Sequence, residues 1–225
     1  MTSKSYFDNT DGLIISAKGG HNGESHNHND MGQFVVYKNS VPFIIDSGSE
    51  TYSAITFSDK RYTLWTTRSA YHNVPLIDGK EQKDGKEYFA EVLDYSKDGY
   101  RVCFSIDLKN AYINREEINE WNRTFEFDRK NQTINVTEKI SFIREMSYEL
   151  HFLTPQKPQE TEYGFLLNAK NGEKLEFTYN KEALEFDFEE IMVTDEKIKS
   201  NWGEVLYRVM LKGKVKEDTV KYLIK

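Results

Sequence analysis

The sequence predicts an all-β protein, a large antiparallel β-sandwich with at most short helices. Aromatic residues that favour strands are abundant, with 14 Tyr, 14 Phe and 3 Trp among 225 residues. Candidate strands recur at intervals of about ten residues, separated by turn-forming pairs such as Asp98-Gly99. No long stretch repeats with the period of an amphipathic helix. Sandwiches of this length commonly form one domain, so residues 1–225 are expected to be a single domain.

The elements follow in order along the chain. A first strand is expected over 12–18, before a polar loop over 19–30, and a hairpin is expected from 33–38 and 41–46 around Asn39-Ser40. Residues 58–73 fit a short helix or an irregular crossing, and Asp78-Gly79 predicts a type I′ turn. The remaining strand candidates are 86–95, 100–108, 121–128, 133–142, 147–154, 174–179, 186–193, 205–212 and 219–224, with helix left open for 183–190.

Charge and composition exclude several classes of protein. The 30 Lys and Arg against 37 Asp and Glu give a formal net charge of −7, which argues against a nucleic-acid partner. No apolar run is long enough to cross a membrane, and the first residues lack the apolar core of a signal peptide. A single cysteine, Cys103, cannot form an internal disulfide.

Histidines concentrate near the start of the chain, in the segment His26-Asn27-His28-Asn29-Asp30. If this segment is extended, His26, His28 and Asp30 point to one side. Asp46 ends the next hairpin and would return beside them, and His72 would supply another nitrogen. Two imidazoles and a carboxylate form a common zinc set. The residues alone fit a metal site and a hydrogen-bonded Asn-rich turn equally well.

A cupin-like metal site is a weaker alternative. Gly20 followed after five residues by His26-Asn27-His28 matches the opening of that pattern. A cupin then needs a glutamate ligand, but Gly32 and Gln33 stand at the expected positions. His21 and His151 are expected to be hydrogen-bonded structural residues.

Residues 18–79 carry a more specific resemblance. The stretches GGHNGESHNHNDMGQFVVYKNSVPFIIDSGSETY and RYTLWTTRSAYHNVPLIDG resemble the C-terminal domain of the heparinase II/III-like polysaccharide lyases. The resemblance implies a β-sandwich with one zinc ion held by His28, Asp46 and His72. It also places His26 where the family has a histidine facing the substrate cleft.

The resemblance implies a reaction as well, the β-elimination of a glycosidic bond next to a uronic acid. A base removes the C5 proton, the uronate carboxylate takes up negative charge, and an acid assists the leaving sugar. The catalytic candidates are His26, Tyr52 and Tyr62, and aromatic packing explains the two tyrosines at least as well. The candidates for binding substrate are Asn22, Glu24, Asn27, Arg61, Arg68 and Asn73.

Members of this family also carry an N-terminal helical toroid, and no such region precedes Lys18 here. The expectation is therefore a domain of a longer bacterial protein, periplasmic or secreted, that binds zinc but has little lyase activity alone. Its partners would be an acidic polysaccharide and the toroid. The alternative is a non-catalytic carbohydrate-binding or scaffold module.

Overall fold

Antiparallel strands make up most of the chain. A computed structural model describes residues 1–6 and 8–225, of which 54% are strand and 11% helix. The strands are β1 (Thr2–Lys4), β2 (Leu13–Ala17), β3 (Gly20–Asn22), β4 (Phe34–Lys38), β5 (Val41–Ile44), β6 (Pro75–Ile77), β7 (Gly85–Lys97), β8 (Arg101–Asp107), β9 (Ile118–Asp128), β10 (Thr133–Thr154), β11 (Pro158–Glu160), β12 (Gly164–Asn168), β13 (Lys174–Tyr179), β14 (Glu185–Met192) and β15 (Val205–Ile224). The α-helix of the described residues, α1, spans Glu196–Trp202.

Two sheets pack face to face, as the sequence predicted. The small sheet has the order β1-β2-β4-β5, and the large sheet has the order β11-β12-β13-β15-β10-β9-β8-β7-β3, with β14 beside β15 and β6 beside β10. Phe34 of the small sheet joins the two layers, since its ring centroid lies 5.2 Å from that of Phe125 and 6.2 Å from that of Phe152. The all-β sandwich is therefore confirmed.

Strands β9 and β10 show the period-two alternation that buries one face of a sheet. Ile118, Trp121, Phe125 and Phe127 are buried on β9 while their neighbours are more exposed. The same inward face carries a charged residue on each strand, Arg123 on β9 and Glu138 on β10, and these two are directly paired. Both are fully buried.

Both short turns predicted from the sequence have the expected backbone. Asn39 and Ser40 have φ of 50° and 66° and join β4 to β5. Asp78 and Gly79 have φ of 53° and 71°, and the flanking Ile77 and Lys80 form an antiparallel bridge. Positive φ at both central positions defines the type I′ turn, whose twist matches that of the strands it joins.

The Gly79 turn gives a prediction on stability. A Cβ added to Gly79 would meet nothing within 4 Å, so Gly79→Ala suffers only from its left-handed φ of 71°. We expect this change to lower the free energy of unfolding by about 1 kcal/mol, measured by urea denaturation. Gly99→Ala is the matched control, because Gly99 is equally open but does not have a left-handed φ. Equal effects of the two changes would contradict this account.

Several elements differ from the sequence-based expectations. The two strands expected at 133–142 and 147–154 form one strand, β10, which continues through a shift of register between Ser141 and Met146. Likewise 205–212 and 219–224 are parts of β15. Exposed polar residues at these junctions imitate turns, although the backbone stays paired. The segment 183–190, for which helix was left open, enters β14 because β15 offers it a full-length partner.

Helix α1 was not predicted, and it secures the loop that follows β5. Asp195 caps the helix by accepting hydrogen bonds from the N–H groups of Lys197 and Ile198. Its other oxygen accepts from the N–H of Thr51 at 2.9 Å, and the indole of Trp202 donates to the carbonyl of Ser47 at 3.1 Å. No helix in the described part of the chain combines the length and apolar character needed to cross a membrane.

Candidate metal centre

Three segments bring His28, Asp46 and His72 together. His28 lies in the connection between β3 and β4, Asp46 follows β5 by two residues, and His72 follows the 3₁₀ turn Ser69–Tyr71. The hairpin of β4 and β5 returns Asp46 towards the His-rich segment, as the sequence suggested. One ligand atom from each of the three residues lies within 4.8 Å of the other two. We call these residues the triad.

The separation of two triad atoms, one on His72 and one on Asp46, fits two ligands of a tetrahedral metal ion. Nδ1 of His72 lies 3.3 Å from Oδ2 of Asp46. Two ligand atoms bound at about 2.0–2.1 Å to a tetrahedral zinc ion are separated by about 3.3 Å. His72 is buried; its Nδ1 faces the Asp46 carboxylate, whereas its Nε2 has no hydrogen-bond partner among the described residues. Buried polar atoms are normally paired, so the Nε2 atom indicates that a ligand belongs here.

Electrostatics leave the triad with one exchangeable proton. Burial, together with the neighbouring His72, lowers the pKa of His28 to about 4, so its imidazole is neutral at pH 7. Burial would raise the pKa of Asp46, but the charge of His72 and the N–H of Gly48 outweigh it and hold this pKa well below its usual range. Burial opposes a proton on His72, yet the Asp46 carboxylate raises the pKa of His72 above its ordinary value. A cation in the triad would replace that proton.

Gln33 links two of the ligand-bearing segments, and it was not singled out from the sequence. Its Nε2 donates to Oδ2 of Asp46 at 3.2 Å, while its Oε1 accepts from the N–H of Asn73, the residue after His72. The N–H of Gly48 donates to the other Asp46 oxygen at 2.7 Å. Such contacts fix the orientation of a ligating carboxylate.

The His-rich segment is not extended, and its polar residues therefore diverge. Residues 23–26 form turns and a bend, residues 27–30 are irregular, and His26 has a φ of 58°. Asp30, expected beside His26 and His28, instead forms a salt bridge of 2.6 Å with Lys18. Burial raises the pKa of Asp30 despite this bridge. The shared face predicted for His26, His28 and Asp30 does not form.

His26 belongs to an exposed aromatic cluster next to the triad. Its ring stacks on Tyr52 with a centroid distance of 5.7 Å and meets Phe57 edge-on at 6.0 Å. Nζ of Lys197, on helix α1, lies 5.4 Å from the centre of the Tyr52 ring. Tyr52 and Phe57 are 52% and 67% exposed, which leaves an aromatic surface open to solvent.

Tyr62, Asn27 and Arg61 meet beside this cluster. The amide of Asn27 donates to the hydroxyl of Tyr62 at 3.5 Å, while the Asn27 side-chain oxygen is buried and has no partner among the described residues. Arg61 donates from Nε to the carbonyl of Asn27 at 3.0 Å and from a terminal nitrogen to that of Thr56. Arg61 therefore also holds the cluster together.

The other substrate-binding candidates lie apart from this cluster. Glu24 is exposed on the loop after β3. Asn22 is buried and donates to Gln82 at 3.1 Å, and Arg68 is paired with Glu81. The Asn73 amide is buried and bonds three backbone groups. Asn22 and Asn73 are therefore buried and hydrogen-bonded within the fold. Arg68 is held by its ion pair and stays partly exposed. His21 and His151 have hydrogen-bond partners, as expected of structural histidines.

Known proteins resemble this chain in sequence pattern and in fold. The chain matches the model of the family described as heparinase II/III-like, C-terminal, over residues 13–200. It is similar to a heparan sulfate lyase from Pedobacter heparinus, with a TM-score of 0.77 and 15% identity over 99% of this chain and 34% of that one. A heparinase III structure gives 0.67 and 16% over 99% and 36%. The chain thus spans about a third of the length of these structures. No curated protein matches it in sequence.

Proposed function

Since the chain belongs to the heparinase II/III-like C-terminal domain family, we propose that it is the metal-binding β-sandwich of a polysaccharide lyase that cleaves uronate-containing glycans by β-elimination. The observation that carries this proposal is the triad, with the unpartnered Nε2 of His72, together with the exposed cluster of His26 and Tyr52, in which His26 stands two residues before His28. Clustered titratable groups favour catalysis over a purely structural or carbohydrate-binding module, because such modules rely on aromatic platforms alone.

A zinc ion would be held by His28, Asp46 and His72, and it would supply positive charge and fix three loops. Its donor set of two imidazoles and one carboxylate suits zinc. The bound ion would act on substrate through the loops that it orders, because His26 lies in the same segment as His28, two residues before it. We assign the ion this organising role.

The residues of the cluster would act on the uronate. His26 is exposed, and in this proposal it would exchange a proton with the sugar or donate a hydrogen bond to its carboxylate. Tyr52 and Tyr62 are the further candidates for proton transfer, and the buried Asn27, whose amide donates to the Tyr62 hydroxyl, would orient that tyrosine towards the substrate. Negative charge on the uronate carboxylate would be balanced by Arg61 and, from helix α1, Lys197.

We further propose that the substrate is an acidic polysaccharide and that heparan sulfate is the first polymer to test. The matched structures are named as heparan sulfate lyase and heparinase III. They are also about three times as long as this chain, so principal catalytic groups are proposed to reside in the N-terminal helical toroid of that family. The working protein would then be periplasmic or secreted in a bacterium.

The lyase proposal is tested on the natural full-length protein that carries this domain. Incubation with heparan sulfate, chondroitin sulfate, hyaluronan, alginate and ulvan should release an unsaturated uronate, seen as ultraviolet absorbance. We expect His26→Ala to lower kcat by about 10²-fold or more, the usual contribution of a proton-transfer group. His21→Ala, in the same segment, is the control and should stay near wild type. Lack of product from every polymer would refute the proposal.

A further inference from the structure

The inward face of β9 and β10 contains an ion pair that is completely shielded from water. Nε of Arg123 donates to Oε1 of Glu138 at 2.6 Å, and both side chains have 0% exposure. Glu138 also accepts from the indole of Trp121 at 2.8 Å and from the hydroxyl of Tyr222 at 3.2 Å. The guanidinium lies over the ring of Phe34, 5.6 Å from its centre.

Arg123 reaches from this pair to two loops that carry triad residues. One of its terminal nitrogens donates to the carbonyl of Gly32 at 2.9 Å and to that of Asn73 at 2.8 Å. Gly32 ends the segment that carries His28, and Asn73 directly follows His72. A single guanidinium group therefore sets the separation of these two segments.

The Asn73 side chain extends the connection to the third ligand. Its amide nitrogen donates to the carbonyl of Ile45, the residue before Asp46, at 2.9 Å, and to that of Phe34 at 2.7 Å. Its oxygen accepts from the N–H of Leu153 on β10 at 2.6 Å. Arg123, Glu138 and Asn73, which we call the Arg123 hub, thus contact the backbone beside His72 and Asp46 and, at Gly32, the backbone four residues after His28.

We propose that Arg123, held by Glu138, is a positioning residue that presets the triad for its metal ion. An apolar pair at these two sites would fill the same interior without the cost of removing two charges from water. An apolar pair would not bind the carbonyls of Gly32 and Asn73, however, and the three ligand-bearing segments would lose their common anchor. This inference rests on the proposed metal site, because it describes how that site is held.

The test compares zinc affinity with stability in the 225-residue chain. Zinc affinity is measured by competition with a chromophoric chelator, and the ligand geometry is followed through the visible spectrum of the Co²⁺-loaded chain. The variants are Arg123→Lys, which keeps the charge but not the planar fork, and Arg123→Met with Glu138→Gln, which removes both charges. Leu175→Ala on β13 is the control, a buried apolar truncation in a strand that carries no triad residue.

We expect both hub variants to bind zinc about 10- to 100-fold more weakly, which is the range found when contacts behind metal ligands are removed. Both should also show an altered Co²⁺ spectrum. Leu175→Ala should lower the melting temperature but keep zinc affinity within about threefold, since it has no contact with the ligand loops. If a folded hub variant binds zinc as tightly as wild type, the inference is wrong. If wild type itself binds no zinc, the proposed metal site is wrong, and the inference falls with it.

A measurement on the wild-type chain covers the case in which no hub variant folds. Coupling between the triad and the Arg123 hub must act in both directions. Removing zinc should therefore speed hydrogen exchange of two amides at the hub by about tenfold or more: that of Leu153, which donates to the Asn73 side chain, and that of Asn73 itself, which donates to Gln33. The Phe177 amide on β13 should be unaffected. Unchanged exchange at Asn73 and Leu153 would overturn the inference.

Discussion

Alanine at His28, Asp46 or His72 is expected to reduce bound zinc from about one ion per wild-type chain to less than about a tenth, measured by elemental analysis after dialysis. Structural zinc sites bind with about 10–16 kcal/mol, so losing one of three protein ligands costs several kcal/mol and lowers affinity by about 10³-fold. Proteins purified without a metal-affinity tag are needed for this comparison.

His21→Ala is the matched control, since His21 lies in the same histidine-rich part of the chain but bonds the N–H of Gly23 instead. It should retain the wild-type zinc content. Zinc that persists in all three triad variants would locate the metal elsewhere, and a wild-type chain without zinc would favour a carbohydrate-binding or scaffold module.

Zinc affinity should also depend on pH in a defined direction. The carboxylate of Asp46 raises the pKa of His72. Below that pKa the metal-free triad holds a proton on His72, and zinc must displace this proton in order to bind. His28, with its pKa of about 4, does not add a second proton between pH 5 and 8. Zinc affinity is therefore expected to weaken by up to about tenfold per pH unit below the pKa of His72, measured by chelator competition. A slope of two protons would contradict the assignment.

Arg123→Met is expected to lower the free energy of unfolding by about 3–5 kcal/mol, the largest stability effect that we predict for one substitution. The change leaves the Glu138 carboxylate fully buried without its counter-charge. Urea denaturation, followed by the fluorescence of the buried Trp121, measures the loss. Adding Glu138→Gln removes the stranded charge while keeping an acceptor for the Trp121 indole, so the double variant should recover part of it.

The stability of the double variant, compared with that of Arg123→Met, distinguishes the cost of an unpaired buried charge from the cost of lost packing. If burial of an unpaired carboxylate dominates, the double variant is more stable than Arg123→Met alone. If packing dominates, the second change brings no recovery, and the two losses add. A double variant that is less stable than either single variant would contradict the electrostatic explanation.

Much of the fold was predictable from local pattern. The type I′ turn at Asp78-Gly79 and the hairpin around Asn39-Ser40 follow from residue types that accept positive φ. The continuity of β10 was not predictable, because the exposed residues Arg144 and Glu145 resemble a turn while the strand passes them as an irregularity in register. Long-range pairing decides such cases, and no local window of sequence reveals it.

The candidate site was likewise predictable in its local pattern but not in its long-range contacts. The return of Asp46 to the His-rich segment follows from hairpin geometry, and His72 was a candidate third donor; the family resemblance selected His28, rather than His26, to complete the set. Contacts of Gln33 and Asn73 were hidden, since amides bond backbone groups from distant segments. Arg123 and Glu138 did leave a signal: each interrupts a run in which every second residue is apolar, Trp121 to Phe127 and Ile134 to Phe142. Opposite charges at inward positions of paired strands indicate a buried ion pair.

The position of β15 has a consequence for how the protein is synthesised. This final strand pairs with β10, β13 and β14, and the helix before it secures the loop after Asp46. Although the triad lies within the first 72 residues, the sheet behind it stays open until residues 205–224 have left the ribosome. Assembly of the sheet behind the site is thus expected to wait until β15 has been synthesised. Nascent forms would expose the unpaired edge of β10, and a chaperone that binds extended segments would find its target there.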